Sequence, residues 1–249
     1  MNVHVRGHAF WAPGYASMDA FESGDRDESL ERPAIAFVDS RMKRATSLMT
    51  RMSVHCVAGA IESSGLPLDG CATVFGSEHG EIQIAVDQMV MMQDGEGRIS
   101  PARFKNSVHN TAAGLFSIAA KNKGFTTALA AGADTFPLSL LEGMALLKAG
   151  DAKHVVIVVA DEPLPQPIAH ASTHTAMAIA LALSTEKGPG PEISLPVLSS
   201  AKTKDTPPSQ VPEAFAEHCG AAAYRLLVAI RNGERGKVRL NPSWEVEVS

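Results

Sequence analysis

The residues of this chain that could carry chemistry gather at one turn, and a reactive group is missing from it. Thr126 to Ala131 is a short run of small and β-branched residues, Gly132-Ala133-Asp134 supplies turn chemistry, and Pro137 suits the first turn of a following helix. A helix N-terminus at such a turn carries partial positive charge, the setting that lowers a thiol's pKa and makes a thiolate nucleophile. Ala133 offers no side-chain group that can attack a thioester. Asp134 beside it reads as an N-cap or first-turn acid that suits the helix dipole, rather than as a catalytic base.

Other groupings lack the spacing their chemistry needs. His109 follows Ser107 by two positions, but no G-x-S-x-G elbow exists to present a serine, so a hydrolytic pair is not expected. Glu78, His79 and Glu81 have ligand chemistry without H-E-x-x-H spacing and read as solvated loop or interface groups. His170 and His174 are four apart but flank Ser172-Thr173 ahead of a strand, which argues against helical ligation. Cys56, Cys71 and Cys219 are odd in number, widely spaced and without a C-x-x-C pair. They read as small buried hydrophobes, with neither a disulfide framework nor a zinc site. No cofactor and no metal is expected.

The elements around the turn follow from periodicity. Leu138, Leu141, Met144 and Ala145 recur at near-helical spacing, Lys148 suits the last turn, and Gly150 stops the helix. His154 to Ala160 (HVVIVVA) is an unbroken β-branched run, the pattern of a strand covered on both faces of a parallel sheet. Together these predict a right-handed βαβ unit. Upstream, Val3 to Gly7 and Phe10 to Ala12 predict a strand and turn, and Asp19 to Arg32 a surface loop. Arg41 to Arg44 opens one long helix through Met49, Met52, Val57 and Ile61, closed by Ser64-Gly65-Leu66. Cys71 to Gly76 reads as a buried strand and Ile82 to Gln93 as an amphipathic helix. Downstream, the alternation of large and small apolar residues over His174 to Ser184 favours a strand. Six prolines from Pro189 to Pro212 then mark loops, Glu213 to Arg231 predicts a helix ending at Asn232-Gly233, and Lys237 to Leu240 and Trp244 to Val248 predict two strands or a hairpin.

Composition narrows the function classes. At 249 residues, 45% hydrophobic and 20% charged, the chain can bury a full core in one or two domains. A net charge of −5 and 5% aromatics leave neither an electrostatic footprint nor stacking platforms for nucleic acid. No apolar run approaches the roughly 18 residues that span a bilayer, and the N-terminus has no signal-peptide pattern, so no membrane partner is expected and the cytoplasm is the default.

The strand-turn-helix resembles the nucleophile elbow of the β-ketoacyl synthases, whose reactive cysteine sits in a T-A-C-[ST]-S context before a helix that exits into G-D-[AC]-D-x-[VA]. Gly150-Asp151-Ala152-Lys153-His154-Val155 matches that exit, and counting back without a gap places Ala133 where the cysteine belongs. Other motifs follow in family order: Arg41-Met42-Lys43-Arg44, Cys71 to Gly76, Ile99-Ser100-Pro101, and Ser107 to Gly114, which is similar to a V-N-x-x-A-G helix start. The resemblance covers residues 1–185. It implies an α/β, thiolase-like βαβαβ half-fold with a mixed sheet and helices packed on it, truncated relative to full ketosynthases. Residues 186–249 then form a shortened C-terminal extension packed on the same domain.

Complete ketosynthases also carry a second half with catalytic histidines in H-G-T and G-H-x-x-G-A-A-G contexts. Neither motif occurs, and His218-Cys219-Gly220-Ala221-Ala222-Ala223 only faintly echoes the second. With thiolate and histidine pair both absent, the resemblance implies no catalytic residue and no condensation by this chain alone. It implies a shortened chain length factor, close to those of aryl polyene pathways, that forms a heterodimer with a cysteine-bearing ketosynthase and meets acyl carrier protein through that complex. Phe125, Thr127, Leu129 and Ala131 would lie at the dimer interface. Ile84, Asp87, Gln88 and Met91 would touch or close the partner's acyl tunnel. Alternatives are a diverged acyltransferase or hydrolase, and an acyl- or carrier-protein-binding scaffold without a ketosynthase mate.

Overall fold

The computed structural model describes residues 3–44, 46–68, 70–94, 99–166, 168–169, 174–199 and 211–249. His170, Ser172 and Thr173 lie outside the described residues. The elements, in order, are β1 (Val3–Trp11), α1 (Met18–Ser23), α2 (Ser40–Lys43), α3 (Leu48–Ser64), β2 (Ala72–Gly76), α4 (Ile82–Gln93), α5 (Pro101–Phe104), α6 (Thr111–Ala119), β3 (Thr126–Leu129), α7 (Thr135–Ala149), β4 (His154–Asp161) and β5 (Met177–Ser184). The C-terminal part adds β6 (Glu192–Ile193), β7 (Val197–Leu198), α8 (Ala221–Arg231), β8 (Gly236–Arg239) and β9 (Trp244–Val248).

One mixed sheet runs β3-β2-β4-β5-β1-β6-β9-β7, with β8 paired to β9. β2 pairs in parallel with both β3 and β4. The expected βαβαβ unit is therefore β2-β3-β4, with β2 lying between the two strands that flank α7. β4 is parallel on one side only, since its other neighbour, β5, is antiparallel.

The alternation in β5 sets the spacing of the layers. Met177, Ile179, Leu181 and Leu183 join Phe136, Leu140 and Met144 of α7 and Leu226 and Leu227 of α8 in one core. Ala178, Ala180 and Ala182 face the other core, with Met52, Cys56 and Ala60 of α3 and Phe116 of α6. Methyl-sized side chains let α3 approach the backbone so closely that the Cys56 thiol lies 3.5 Å from the Ala178 carbonyl oxygen. The large-small pattern of the sequence thus encodes two sheet-to-helix distances, one for each face.

Four expectations change. Residues 41–64 form two helices, because Asp39 caps α2 and Ser47 starts α3 afresh by accepting the Thr50 N–H, while Arg51 donates to the Lys43 carbonyl across the break. The predicted 19–32 loop begins as α1, capped by Ser17 and by left-handed Gly24. The predicted strand and turn at the N-terminus are one strand with a bulge between Val5 and Gly7. The predicted 213–231 helix is a 3-10 turn at Glu213–Phe215 followed by α8, because His218 Nδ1 takes the Gly220 N–H at 2.8 Å and holds the chain in a turn until Ala221.

α8 nevertheless packs its buried Ala222, Leu226 and Leu227, with Phe215, on the α7 side of the sheet. The hairpin of Gly236–Arg239 and Trp244–Val248 forms as expected.

Candidate functional site

The elbow is built as the sequence suggests. β3 ends at Leu129, Gly132 takes φ +57°, a left-handed conformation that a glycine adopts without strain, and a 3-10 turn at Gly132–Asp134 feeds α7. Thr135 holds the turn, accepting the Ala131 N–H at 3.0 Å and donating to the Gly132 carbonyl at 2.7 Å. Ala133 sits exposed at the apex. Asp134 occupies the N-cap position but makes no capping bond to the helix. Its Oδ1 instead accepts from Asn241 Nδ2 at 2.8 Å, and the same amide donates to the Ala133 carbonyl at 3.2 Å. Asn241 lies between β8 and β9, where its Oδ1 also accepts the Ser243 and Trp244 N–H groups. The C-terminal hairpin is thereby tied to the turn that precedes α7.

Beneath the elbow, the C-terminal end of β4 carries a buried polar knot. Asp161 Oδ1 accepts the Ser77 hydroxyl at 2.6 Å and the His79 N–H at 3.3 Å, and Oδ2 accepts the Glu78 N–H at 2.7 Å and the Cys219 thiol at 2.8 Å. His218 Nε2 donates to the Asp161 carbonyl at 3.1 Å, while Nδ1 is the acceptor for Gly220. Burial pulls the His218 pKa down to about 4, against the opposing pull of Asp161, so the ring is neutral and both its nitrogens are committed. His174 stacks edge-on against it, with ring centroids 5.1 Å apart.

The cysteines are buried, as expected, and no thiolate is prepared. Burial raises the Cys71 thiol to about 11 and raises Cys56 further, and burial beside Asp161 pushes Cys219 well up. Cys219 is also a hydrogen-bond donor, which the sequence did not suggest.

Glu81 overturns an expectation. It is 2% exposed rather than solvated, it accepts the Thr50 hydroxyl, and burial raises its pKa. Glu162, which sequence reasoning passed over, is buried nearby. Burial first, then the charges of Glu81 and Asp161, lift its carboxyl to about 7. His109 bonds to the Ser77 carbonyl at 2.9 Å, and Ser107 donates to Phe104, so the two form no pair. Among the described residues no group of three or more His, Cys, Asp or Glu could hold a metal ion.

The expected interface residues lie along β3. β3 is an edge strand, shorter than predicted, so Phe125 and Ala131 flank it. Phe125 is exposed, while Thr127, Leu129 and Ala131 are half-buried. In α4, Ile84 is half-buried, Asp87 and Met91 are exposed, and Gln88 is buried. Arg103 of α5 reaches both Asp87, at 3.8 Å, and the Met91 sulfur, at 3.7 Å. Met89, Met92, Phe104 and Ile118 on α4 to α6 add large exposed apolar side chains.

The family model for the β-ketoacyl synthase N-terminal domain matches residues 20–242. The chain belongs to that family. Its fold is the thiolase-like ketosynthase fold, in a chain short for a full ketosynthase. Among solved structures, this β-ketoacyl synthase-like chain is similar to a chain of the ketosynthase in complex with its chain length factor from Xenorhabdus doucetiae. The identity is 22%, the TM-score is 0.75, and the alignment covers 99% of both chains. It is also similar to the ishigamide ketosynthase/chain length factor, at 15% identity and TM-score 0.65, covering 94% of this chain and 74% of that one. A third is a type II polyketide synthase acyl carrier protein in complex with its ketosynthase bound to the hexaketide. There the identity is 13%, the TM-score is 0.64, and the coverage is 82% of this chain and 70% of that one. No curated protein matches. Among the described residues, no helix is long and apolar enough to cross a membrane.

Proposed function

We propose that this chain is a non-catalytic chain length factor that pairs with a cysteine-bearing ketosynthase and shapes its acyl tunnel during polyene-type chain elongation. The observation that carries the reading is the exposed alanine at the apex of an otherwise complete elbow, tied down by Asn241. Condensation needs a thiolate and donors for the developing oxyanion. The Cys219 thiol is buried with its pKa raised, and His218 beside it has both ring nitrogens engaged. A chain of the same length occurs in the Xenorhabdus doucetiae complex, which supports the idea that residues 186–249 stand in for a second half.

In this reading the open edge of β3, with Phe125, Thr127, Leu129 and Ala131, pairs with the ketosynthase, because an unpaired edge beside apolar side chains calls for a cover. Ile84, Asp87 and Met91 reach the partner's acyl tunnel, and buried Gln88 supports them from behind. Acyl carrier protein meets the pair, not this chain alone. The test is co-expression with a cysteine-bearing ketosynthase from a polyene-type pathway, followed by size-exclusion chromatography and an elongation assay. A one-to-one complex is expected, with activity only in the complex and product lengths altered by Met91→Trp. Carbon-carbon bond formation by the purified single chain would overturn the reading.

A further inference from the structure

The end of the sheet opposite the elbow carries charge that the chain length factor reading leaves unused. β1 opens with His4 and Arg6 separated by buried Val5. These residues, the Lys187-Gly188-Pro189-Gly190-Pro191 loop, the C-terminal end of α8 and Arg235 line a cleft of about 630 Å³, a size that suits a small-molecule ligand. The loop is pressed onto β1. A Cβ on Gly188 would lie 2.1 Å from Arg6 Cδ, and one on Gly190 would lie 2.2 Å from the Val5 carbonyl oxygen. The two glycines therefore bring the loop close enough for Arg6 Nη1 to donate to the Lys187 carbonyl at 3.2 Å.

That bond fixes the guanidinium and leaves work for it to do. Arg6 Nε and His4 Nδ1, on two residues that line the cleft, are buried with no hydrogen-bond partner, while His4 Nε2 faces Glu192 at 3.2 Å. Buried donors are ordinarily satisfied, so two orphans in one cleft point to an absent acceptor. The charge balance agrees. Arg231 is paired with Asp19 and Glu22, and Glu192 faces His4, while among the described residues no carboxylate forms an ion pair with Arg6, Lys187 or Arg235.

We propose that this cleft binds a phosphate monoester, with Arg6 and His4 as the inner donors and Lys187 and Arg235 at the rim. A phosphate monoester offers three terminal oxygens and up to two negative charges to donors converging from several sides, where a carboxylate offers two oxygens and one charge. The His4 ring turns Nε2 to Glu192 and leaves Nδ1 for the anion.

The test is isothermal titration of the full chain at constant ionic strength with glycerol 3-phosphate, inorganic phosphate and acetate. Saturable one-to-one binding of the monoester, tighter than either other anion, is expected. Arg6→Gln should weaken it at least about tenfold and Lys187→Ala by about threefold, as loss of a bidentate and of a point-charge contact implies. Saturation by inorganic phosphate alone, equal binding of acetate, or no saturation at all overturns the proposal. If Arg6→Gln does not fold, an affinity unchanged in the exposed-loop variant Lys187→Ala overturns it as well.

Discussion

The centre of the sheet and its β3 rim are built on opposite principles. At the centre, β4 and β5 bury nearly every side chain, and Asp161, at the end of β4, has both carboxylate oxygens taken by a hydroxyl, a thiol and two backbone N–H groups. At the rim, a four-residue strand leaves its outer edge without a paired strand among the described residues, and Phe125 beside it and Ile118 of α6, which packs on it, face solvent. The Asp161 carboxylate is satisfied within the chain. The rim has the strand edge and the apolar surface that a partner would cover.

The largest expected effect tests the centre. Asp161→Ala strands the Ser77 hydroxyl, the Glu78 N–H and the Cys219 thiol in a dry interior. The destabilisation expected is about 3–5 kcal/mol, the range for removing one partner of a buried charged network. The urea midpoint of the lone chain measures it, and a shift no larger than that of an ordinary surface substitution would show that the knot is incidental.

The rim should respond in the reverse way. The carbonyls of Phe125 and Leu129 accept bonds from β2, so alternation along a parallel strand turns the N–H of Ala128 outward, to the open edge. Ala128→Pro removes that donor without touching a bond inside the chain. Affinity for a ketosynthase partner is expected to fall by about a hundredfold, as several edge hydrogen bonds and their register are lost, with little change in the stability of the single chain. Biolayer interferometry beside thermal melts separates the two. An unchanged affinity would move the interface away from β3.

What was legible in the sequence follows the same division. The β-branched run of β4, the large-small alternation of β5 and the turn at Gly132 are local patterns, and each became the element it suggested. The amide of Asn241 reaches Asp134 across more than a hundred residues, and no local pattern signals such a contact. Asp161 at the end of an apolar run was visible as a position, yet its partners come from the loop after β2 and the turn before α8. Helix boundaries at 44–47 and 216–220 were missed because side-chain bonds from Ser47 and His218 outweigh a periodicity that runs through both breaks. The burial of Glu81 depends on α3, which supplies Thr50.

A smaller effect sharpens the centre by pH. The Glu162 carboxyl titrates at about 7 when folded, against 4.5 ordinarily, so the folded state holds its proton more tightly than the unfolded state does. The stability this contributes is complete below about pH 4.5 and is lost as pH rises through 7. His218, lowered to about 4, contributes in the opposite sense, with stability present above 6.5 and lost as pH falls toward 4. Glu162→Gln removes only the first dependence. It should raise the unfolding free energy by about 3 kcal/mol at pH 8 and leave it nearly unchanged at pH 4.5, the scale set by a shift of this size. An equal effect at both pH values would mean that packing, not charge, governs the site.

The smallest expected change in stability falls at the elbow, where centre and rim meet. Ala133 is exposed and carries no positive φ, so Ala133→Cys adds one sulfur at the surface and should alter stability by no more than about 0.5 kcal/mol. The introduced thiol stands at the N-terminal turn of α7, where the helix dipole lowers its pKa. It should be alkylated by iodoacetamide in the native protein, while Cys56, Cys71 and Cys219 react only after unfolding. The added thiol should not bring condensation with it, because His218 is neutral and its two nitrogens are held by the Asp161 carbonyl and the Gly220 N–H, leaving no donor on that ring for an oxyanion. A variant that both alkylates and condenses would locate the missing donors within this chain. One that alkylates without condensing shows that a reactive thiol at this turn is not sufficient for condensation.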